Sequence, residues 1–452
     1  MSAVLREARA TLLLAVPITI GQVSQMLMGV TDSLMIGRTG TVPLAASSFG
    51  IGVFNVFFII GVGLMTPVAV FASRSRGEGR HPEAGEYMRH GLFIALVAGA
   101  VEFAAVILMS GHLAWFRQPP EVLSAVNPFF ALLGFSIFPV LAYLALRQFA
   151  ESMGRPWVPM LVMLCGVGLN ALLNWIFIYG HLGMPALGLT GAGISTLISR
   201  TLGSLVIFAW LRFDPAMREA WPRRWLAPVS WARLRRMLGV GLPTSGSLLF
   251  EGGAFAAATV MMGWLGAAPL AAHQIAISCA ALTFMVELGL SMAIGIRMSA
   301  AVGAGDHASL RPIWIGGVLM GLAMSVAVTV VFLAFGHAIA SCFIRDAGVV
   351  KIATLLLVVA AVFQIFDGSQ VINSAALRGL TDVKVPAAIT FVAYWLVALP
   401  VGYLLGIRGP FGPAGIWSGL AGGLAVAAVM LGLRLVRLTG HGAARHAWGH
   451  VP

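Results

Sequence analysis

Charge is scarce in this chain: Asp, Glu, Lys and Arg make up 10% of its 452 residues, against roughly 25% in an ordinary soluble domain. A water-facing surface for a chain of this length cannot be built from so few charged groups, so a soluble globular fold is excluded. Cysteine is nearly absent as well. Cys165, Cys279 and Cys342 are scattered at spacings that suit neither a metal site nor a disulfide framework. The sequence also lacks a glycine-rich phosphate loop, a metal-ligand cluster and a nucleophile motif, which argues against ATP as an energy source and against an enzyme.

Hydrophobic residues, by contrast, make up 59% of the chain. Apolar segments of span length keep recurring, and a helix needs about 20 residues to cross a bilayer. Twelve fall near 11–36, 48–73, 88–110, 122–146, 157–179, 188–211, 237–262, 270–296, 313–335, 349–377, 385–406 and 413–436. The expected fold is therefore an all-α integral membrane protein with twelve transmembrane helices. The first stretch, Thr11 to Ile36, is too long for a cleaved leader and has no small-residue cleavage site before the next span.

The few charges are unevenly placed. Between alternate spans, 22 of the 28 Lys and Arg residues fall on one side; Arg38, Arg117, Arg345, Lys351 and Arg408 fall on the other, and Arg200 lies within a span. By the positive-inside rule both termini are cytoplasmic, as in a multi-pass protein of a bacterial inner membrane. The net charge of +12 then calls for no nucleic acid; anionic membrane lipid is the partner it suits. The longest polar break, "RFDPAMREAWPRRWLAPVSWARLRR", occupies 212–236 and is basic. It divides an expected N-terminal six-helix lobe (1–211) from a C-terminal one (237–437), with 438–452 as a cytoplasmic tail.

The two halves repeat. "VPLAASSFGIG" from Val42 matches "APLAAHQIAIS" from Ala268, 226 residues later, and the same offset pairs Pro17 with Pro243, Gly37 with Gly263, and "GEG" at Gly77 with "GAG" at Gly303. Six spans per half is an even number, so both copies share one orientation, related by an axis along the membrane normal. That is the usual construction of an alternating-access transporter. Pro17, Pro139, Pro243 and Pro400 are candidate kinks within spans.

Five acids remain inside spans: Asp32, Glu102, Glu251, Glu287 and Asp367. Each costs about 2.5–3.5 kcal/mol on insertion scales, so each should face a cavity, have a partner or carry a proton. Asp32 shares a helical face with Gln25, seven residues before it, and Gln25 pairs with Glu251 across the repeat. Asp367 follows a run from Ile352 to Phe363 that is almost wholly apolar, and it has Gln364, Gln370 and Asn373 on neighbouring turns. Asn170 and Asn174 stand one turn apart. Carboxylate, amide and hydroxyl oxygens suit Na⁺, while a carboxyl stripped of water takes up a proton more readily; the same acids also suit an organic cation. Glu102 and Glu287 stand isolated among apolar neighbours, Arg200 calls for an acid or carbonyl partner, and His273 reads as structural.

The segments "GQVSQMLMGVTDSLMIGRTGTVPLAASSFG", "APLAAHQIAIS" and "FDGSQVINSAALRGLTDVKVP" resemble the signature segments of the multidrug and toxic compound extrusion (MATE) family, in its NorM branch. The resemblance runs over nearly the whole chain. It implies two pseudo-symmetric six-helix bundles forming a V-shaped central cleft, and export of bulky, often cationic drugs and dyes in exchange for Na⁺ or H⁺ by a protein expected to be monomeric. It also implies ion-coupling roles for Asp32, Glu251 and Asp367, the last two in a cation site of the C-terminal lobe that would hold Na⁺ if Na⁺ is the coupling ion. The matching N-terminal cluster would be Asp32, Asn170 and Asn174, with Gln274 facing the cleft. Glu287 departs from the pattern, standing where an uncharged residue is expected, and so adds a titratable group to the substrate or ion machinery. The alternatives are a lipid-linked-precursor flippase of the same superfamily, which a cationic cleft would favour, and a membrane-embedded transferase, which would need a catalytic cluster at one interface.

Overall fold

The computed structural model describes residues 2–440. The expected tail, with Arg445, lies outside them except for its first three residues. Among the described residues there are helices and short connections and no strand. An unbroken apolar run in hydrocarbon leaves this choice, because each backbone N–H and C=O must find its partner within the same segment. Twelve helices are long and apolar enough to span: α1 Ala3–Gly37, α2 Thr41–Gly77, α3 His81–Ser110, α4 Pro120–Ser152, α5 Trp157–Tyr179, α6 Gly188–Phe213, α7 Trp231–Trp264, α8 Ala267–Gly303, α9 His307–Phe343, α10 Ala347–Gly379, α11 Lys384–Arg408 and α12 Gly412–Leu438.

The prolines leave their marks. α4 is interrupted at Ser136, where Pro139 has no N–H to offer the preceding turn. In α11 the backbone widens to a π-helix over Val392–Ala398, just before Pro400. The repeat is visible in the backbone too. Gly40 and Gly266 begin the second helix of each half at φ 136° and 116°, and Gly79 and Gly305 end it at φ 72° and 68°. Those left-handed values favour glycine, and each pair is separated by the offset read from the sequence.

Packing divides the chain into two compact units. One holds the described residues up to Thr19 together with the described residues from Gly246 on; the other is Ile20–Ser245. Both divisions fall inside helices, α1 and α7, a few residues after Pro17 and Pro243, rather than in the polar connection after α6. In the Ile20–Ser245 unit the core gathers Phe54, Phe129, Phe130, Leu133, Ile178 and Leu189. The connection after α6 is docked onto α3: the Arg89 guanidinium donates to the carbonyls of Trp225 (3.2 Å) and Ala227 (2.6 Å), and Ser230 N donates to His90 Nε2 (3.0 Å). In the other unit the core is built on Ala254, Met262, Leu357, Phe363, Tyr394 and Trp417. There α11 and α12 meet backbone to backbone, since a Cβ on Gly419 would lie 2.3 Å from Gly402 N. In a membrane, where the hydrophobic effect does not drive helices together, such close approach is a main source of cohesion.

Candidate cation sites

In the Ile20–Ser245 unit, α1 and α5 bring three of the expected residues together. Asn174 Nδ2 donates to Asp32 Oδ1 at 2.6 Å and to Asn170 Oδ1 at 3.2 Å. Both asparagines are fully buried, while Asp32 is half-buried. One turn of α5 separates the two amides, so they present a single polar face to α1. Asn170 Nδ2 and Asn174 Oδ1 have no partner, which leaves the cluster one spare donor and one spare acceptor beside a carboxylate. Arg200 lies within electrostatic reach of Asp32. Its Nη1 donates to Ser136 Oγ at 2.6 Å, at the break in α4, and its guanidinium covers the Phe54 ring with 5.5 Å to the centroid. Its hydrogen-bond partner is thus a hydroxyl, where an acid or carbonyl is expected from the sequence.

In the other unit Asp367 of α10 is 4% exposed and its Oδ1 has no partner. It is within electrostatic reach of Glu287 on α8 and Glu251 on α7. Glu251 is half-buried, is faced by Arg378, and lies near the Tyr394 hydroxyl, which makes no hydrogen bond. Tyr394 stands in the π-helical turn of α11. Glu287 is 1% exposed and accepts from Ser325 Oγ at 2.8 Å through Oε1, with Oε2 unpartnered. Its carboxylate lies against Gly368: a Cβ there would come within 2.5 Å of Glu287 Oε1. The residue after Asp367 therefore lacks a side chain where the neighbouring helix places an acid. Gln364 Nε2 donates to Thr283 Oγ1, and Gln364 Oε1 and Gln370 Oε1 are open. Asn373, by contrast, is spent on packing, accepting from Trp314 Nε1 and donating to Ala428 O.

Three buried or half-buried carboxylates thus lie together, and one guanidinium, that of Arg378, faces Glu251 among them. Among the described residues no three His, Cys, Asp or Glu side chains converge closely enough to hold a metal ion by themselves. A monovalent cation at this place would take carboxylate oxygens together with the open Tyr394 hydroxyl and Gln oxygens, whose chemistry fits a hard ion. The same carboxylates can carry protons. Glu287 belongs with this cluster and not with the polar group around Asp32. Gln25 is half-buried, Gln274 is exposed, and neither side chain enters either hydrogen-bonded group. His273 is a packing residue, held between Trp417 Nε1 (3.1 Å) and Thr259 Oγ1 (3.0 Å).

The family model described as MatE matches residues 17–176 and again residues 243–404. The chain belongs to the MatE family. The two matched copies begin at Pro17 and Pro243, at the offset of the internal repeat. A MatE relative from Mesorhizobium japonicum, described as a probable multidrug resistance protein NorM, is 34% identical over 443 residues, covering 96% of this chain and 94% of its own length. A Pseudomonas putida protein of the same description is 35% identical over 450 residues, 97% of each. Among solved structures, a MATE protein in the bent conformation superposes with a TM-score of 0.89 at 21% identity over 100% of both chains. A superfamily transporter from Pyrococcus furiosus gives 0.87 at 22% over 96% of each. These last two likenesses establish the MatE fold.

Four participants in the MatE chain's C-terminal cluster escape a reading of the sequence alone. Arg378 counts there as a loop charge at the end of a span. Tyr394 and Ser325 are single polar residues in apolar helices, and nothing local says which way they turn. Gly368 stands beside Asp367 in plain view, but its meaning depends on Glu287, 81 residues earlier in the chain and carried by another helix.

Proposed function

We propose that this chain is a multidrug exporter of a bacterial inner membrane. It works as a monomer with both termini cytoplasmic, and by alternating access it exchanges bulky organic cations for Na⁺ or H⁺. The observation that carries the reading is the excess of acid buried in apolar surroundings: Glu251, Glu287 and Asp367 gathered in one unit, with Arg378 facing Glu251 alone, and Asp32 with two buried amides in the other. Uncompensated buried carboxylates are costly, and a group that must collect a cation to be neutral is what an antiporter needs. In this mechanism Asp367 and Glu251 hold the coupling ion in one state and release it in the other. A cationic drug competes for the same negative charge, or favours the state that the ion does not. The names of the relatives as multidrug resistance proteins support the same reading. The acidic character of the clusters speaks against a flippase for lipid-linked precursors, whose anionic cargo calls for cationic walls.

The test is transport of a fluorescent cationic dye into or out of proteoliposomes, with a Na⁺ gradient and a pH gradient imposed separately. Wild-type protein should respond to at least one gradient, and Asp367→Asn and Glu251→Gln should each abolish that response at unchanged expression. Wild-type rates in both variants would reject the assignment; silence of the wild-type protein under both gradients would reject the antiport itself.

A further inference from the structure

The membrane face that carries only five Lys and Arg residues nevertheless gathers two of them in one place. Where α9 ends and α10 begins, the helices diverge around a groove of about 530 Å³ that holds Arg345, Lys351 and His337 above an apolar floor including Ile344 and Val350. We propose that this groove binds the phosphodiester headgroup of an anionic membrane lipid.

Bookkeeping of the polar groups points to an anion. Ser341 Oγ donates to His337 O at 2.8 Å and Thr354 Oγ1 to Val350 O at 2.8 Å, so both hydroxyl hydrogens are committed within their own helices. Asp346 is the acid nearest in sequence, and its Oδ1 accepts from Val349 N at 2.9 Å as the cap of α10. Neither Arg345 nor Lys351 forms an ion pair among the described residues. The donors left over are a guanidinium, an ammonium and an imidazole ring, which together suit a phosphate better than any cation or neutral sugar. Lys and Arg are costly to place on this face by the rule that governs insertion, yet here two stand six positions apart, and the acid between them, Asp346, caps α10 and forms an ion pair with neither.

The surroundings select a lipid over free phosphate. The face of α9 that carries His337 continues into the bilayer as Leu333 and Val330, and the face of α10 that carries Lys351 and Thr354 continues as Val358 and Val362; all four apolar side chains are exposed. A cationic mouth therefore stands at the head of exposed apolar side chains on both helices, a setting that suits a headgroup with its acyl chains. Inorganic phosphate would use the mouth alone.

The experiment is native mass spectrometry of the full chain released from detergent micelles, titrated with phosphatidylglycerol or phosphatidylcholine. Wild-type protein should retain at least one phosphatidylglycerol that phosphatidylcholine does not replace. Arg345→Gln with Lys351→Gln should weaken that retention roughly 25-fold, from about fivefold for each charge near a lipid surface. Arg38→Gln with Arg408→Gln removes the same charge from the same face, away from the groove, and should leave retention unchanged. Equal retention by both double variants would overturn the proposal, and so would displacement of the lipid by inorganic phosphate. Photocrosslinking needs no variant: a phosphatidylglycerol with a photoreactive headgroup should label the peptide joining α9 to α10, and labelling confined to other segments would refute the site.

Discussion

Gly368→Ala offers the most direct check on how the C-terminal cluster is built. The added Cβ would stand 2.5 Å from Glu287 Oε1, 2.7 Å from its Cδ and 2.9 Å from Oε2, all inside contact distance, so the carboxylate must move. It has little room to do so: Glu287 is 1% exposed and tied to Ser325 Oγ at 2.8 Å. Overpacking of this kind costs about 1–3 kcal/mol. The remedy separates volume from charge. Glu287→Ala removes the obstacle, and it leaves no orphaned donor, because Ser325 Oγ also reaches Gly321 O at 3.0 Å and Gln364 O at 3.2 Å. Glu287→Gln keeps the shape and removes only the charge. Unfolding of the purified protein in mixed lipid–detergent micelles should show Gly368→Ala destabilised, the pair with Glu287→Ala restored by about 0.5–3 kcal/mol of coupling, and the pair with Glu287→Gln still impaired. A neutral Gly368→Ala would show that the acid does not occupy this place. Equal rescue by Ala and Gln would mean that charge, not crowding, is what the glycine accommodates.

Two further outcomes follow from packing elsewhere. On α4, Arg147 Nε donates to Glu151 Oε1 at 2.7 Å with both residues almost fully buried, so Glu151→Ala alone should cost about 3–5 kcal/mol, whereas Arg147→Met with Glu151→Leu should recover most of it in the same unfolding assay. A Cβ on Gly85 would fall 1.7 Å from Ala220 O, so Gly85→Ala should release the connection after α6, seen as severalfold faster trypsin cleavage after Arg218 and Arg223; unchanged cleavage would show the docking to be unimportant.

Much of the architecture is legible in the sequence because hydrocarbon is an unforgiving solvent. Span number, the two-fold repeat and the short roll of intramembrane acids follow from hydropathy, offset and cost. Asn170 and Asn174 can be paired in advance because they share one turn of a single helix, and Asp32, on another helix, joins them only through what the resemblance to the MATE family implies. Glu287 cannot be placed that way: hydropathy marks it as an isolated acid on α8, and only the packing of α8 against α9 and α10 shows its neighbours to be Ser325, Gly368 and Asp367. Gln25 illustrates the opposite failure. It shares a helical face with Asp32 on paper, yet the contacts of Asp32 are made across to α5 and leave Gln25 out. The division of the chain is hidden for another reason. Hydropathy and charge mark connections between helices, and the boundaries at Thr19 and Ser245 fall where the chain shows no change of composition.

Those boundaries also set a timetable for synthesis. The residues up to Thr19 are made ahead of the Ile20–Ser245 unit, but the unit in which they pack begins again only at Gly246. At about 5–20 residues per second of translation, the opening of α1 waits on the order of 10–45 seconds before its first packing partners exist. During that interval the Ile20–Ser245 unit can be completed while the segment ahead of it stays unpaired in the bilayer. A chain severed in the polar connection after α6 would thus yield two fragments, each carrying a piece that belongs to the other's unit, and activity should return only when both fragments are made in the same cell.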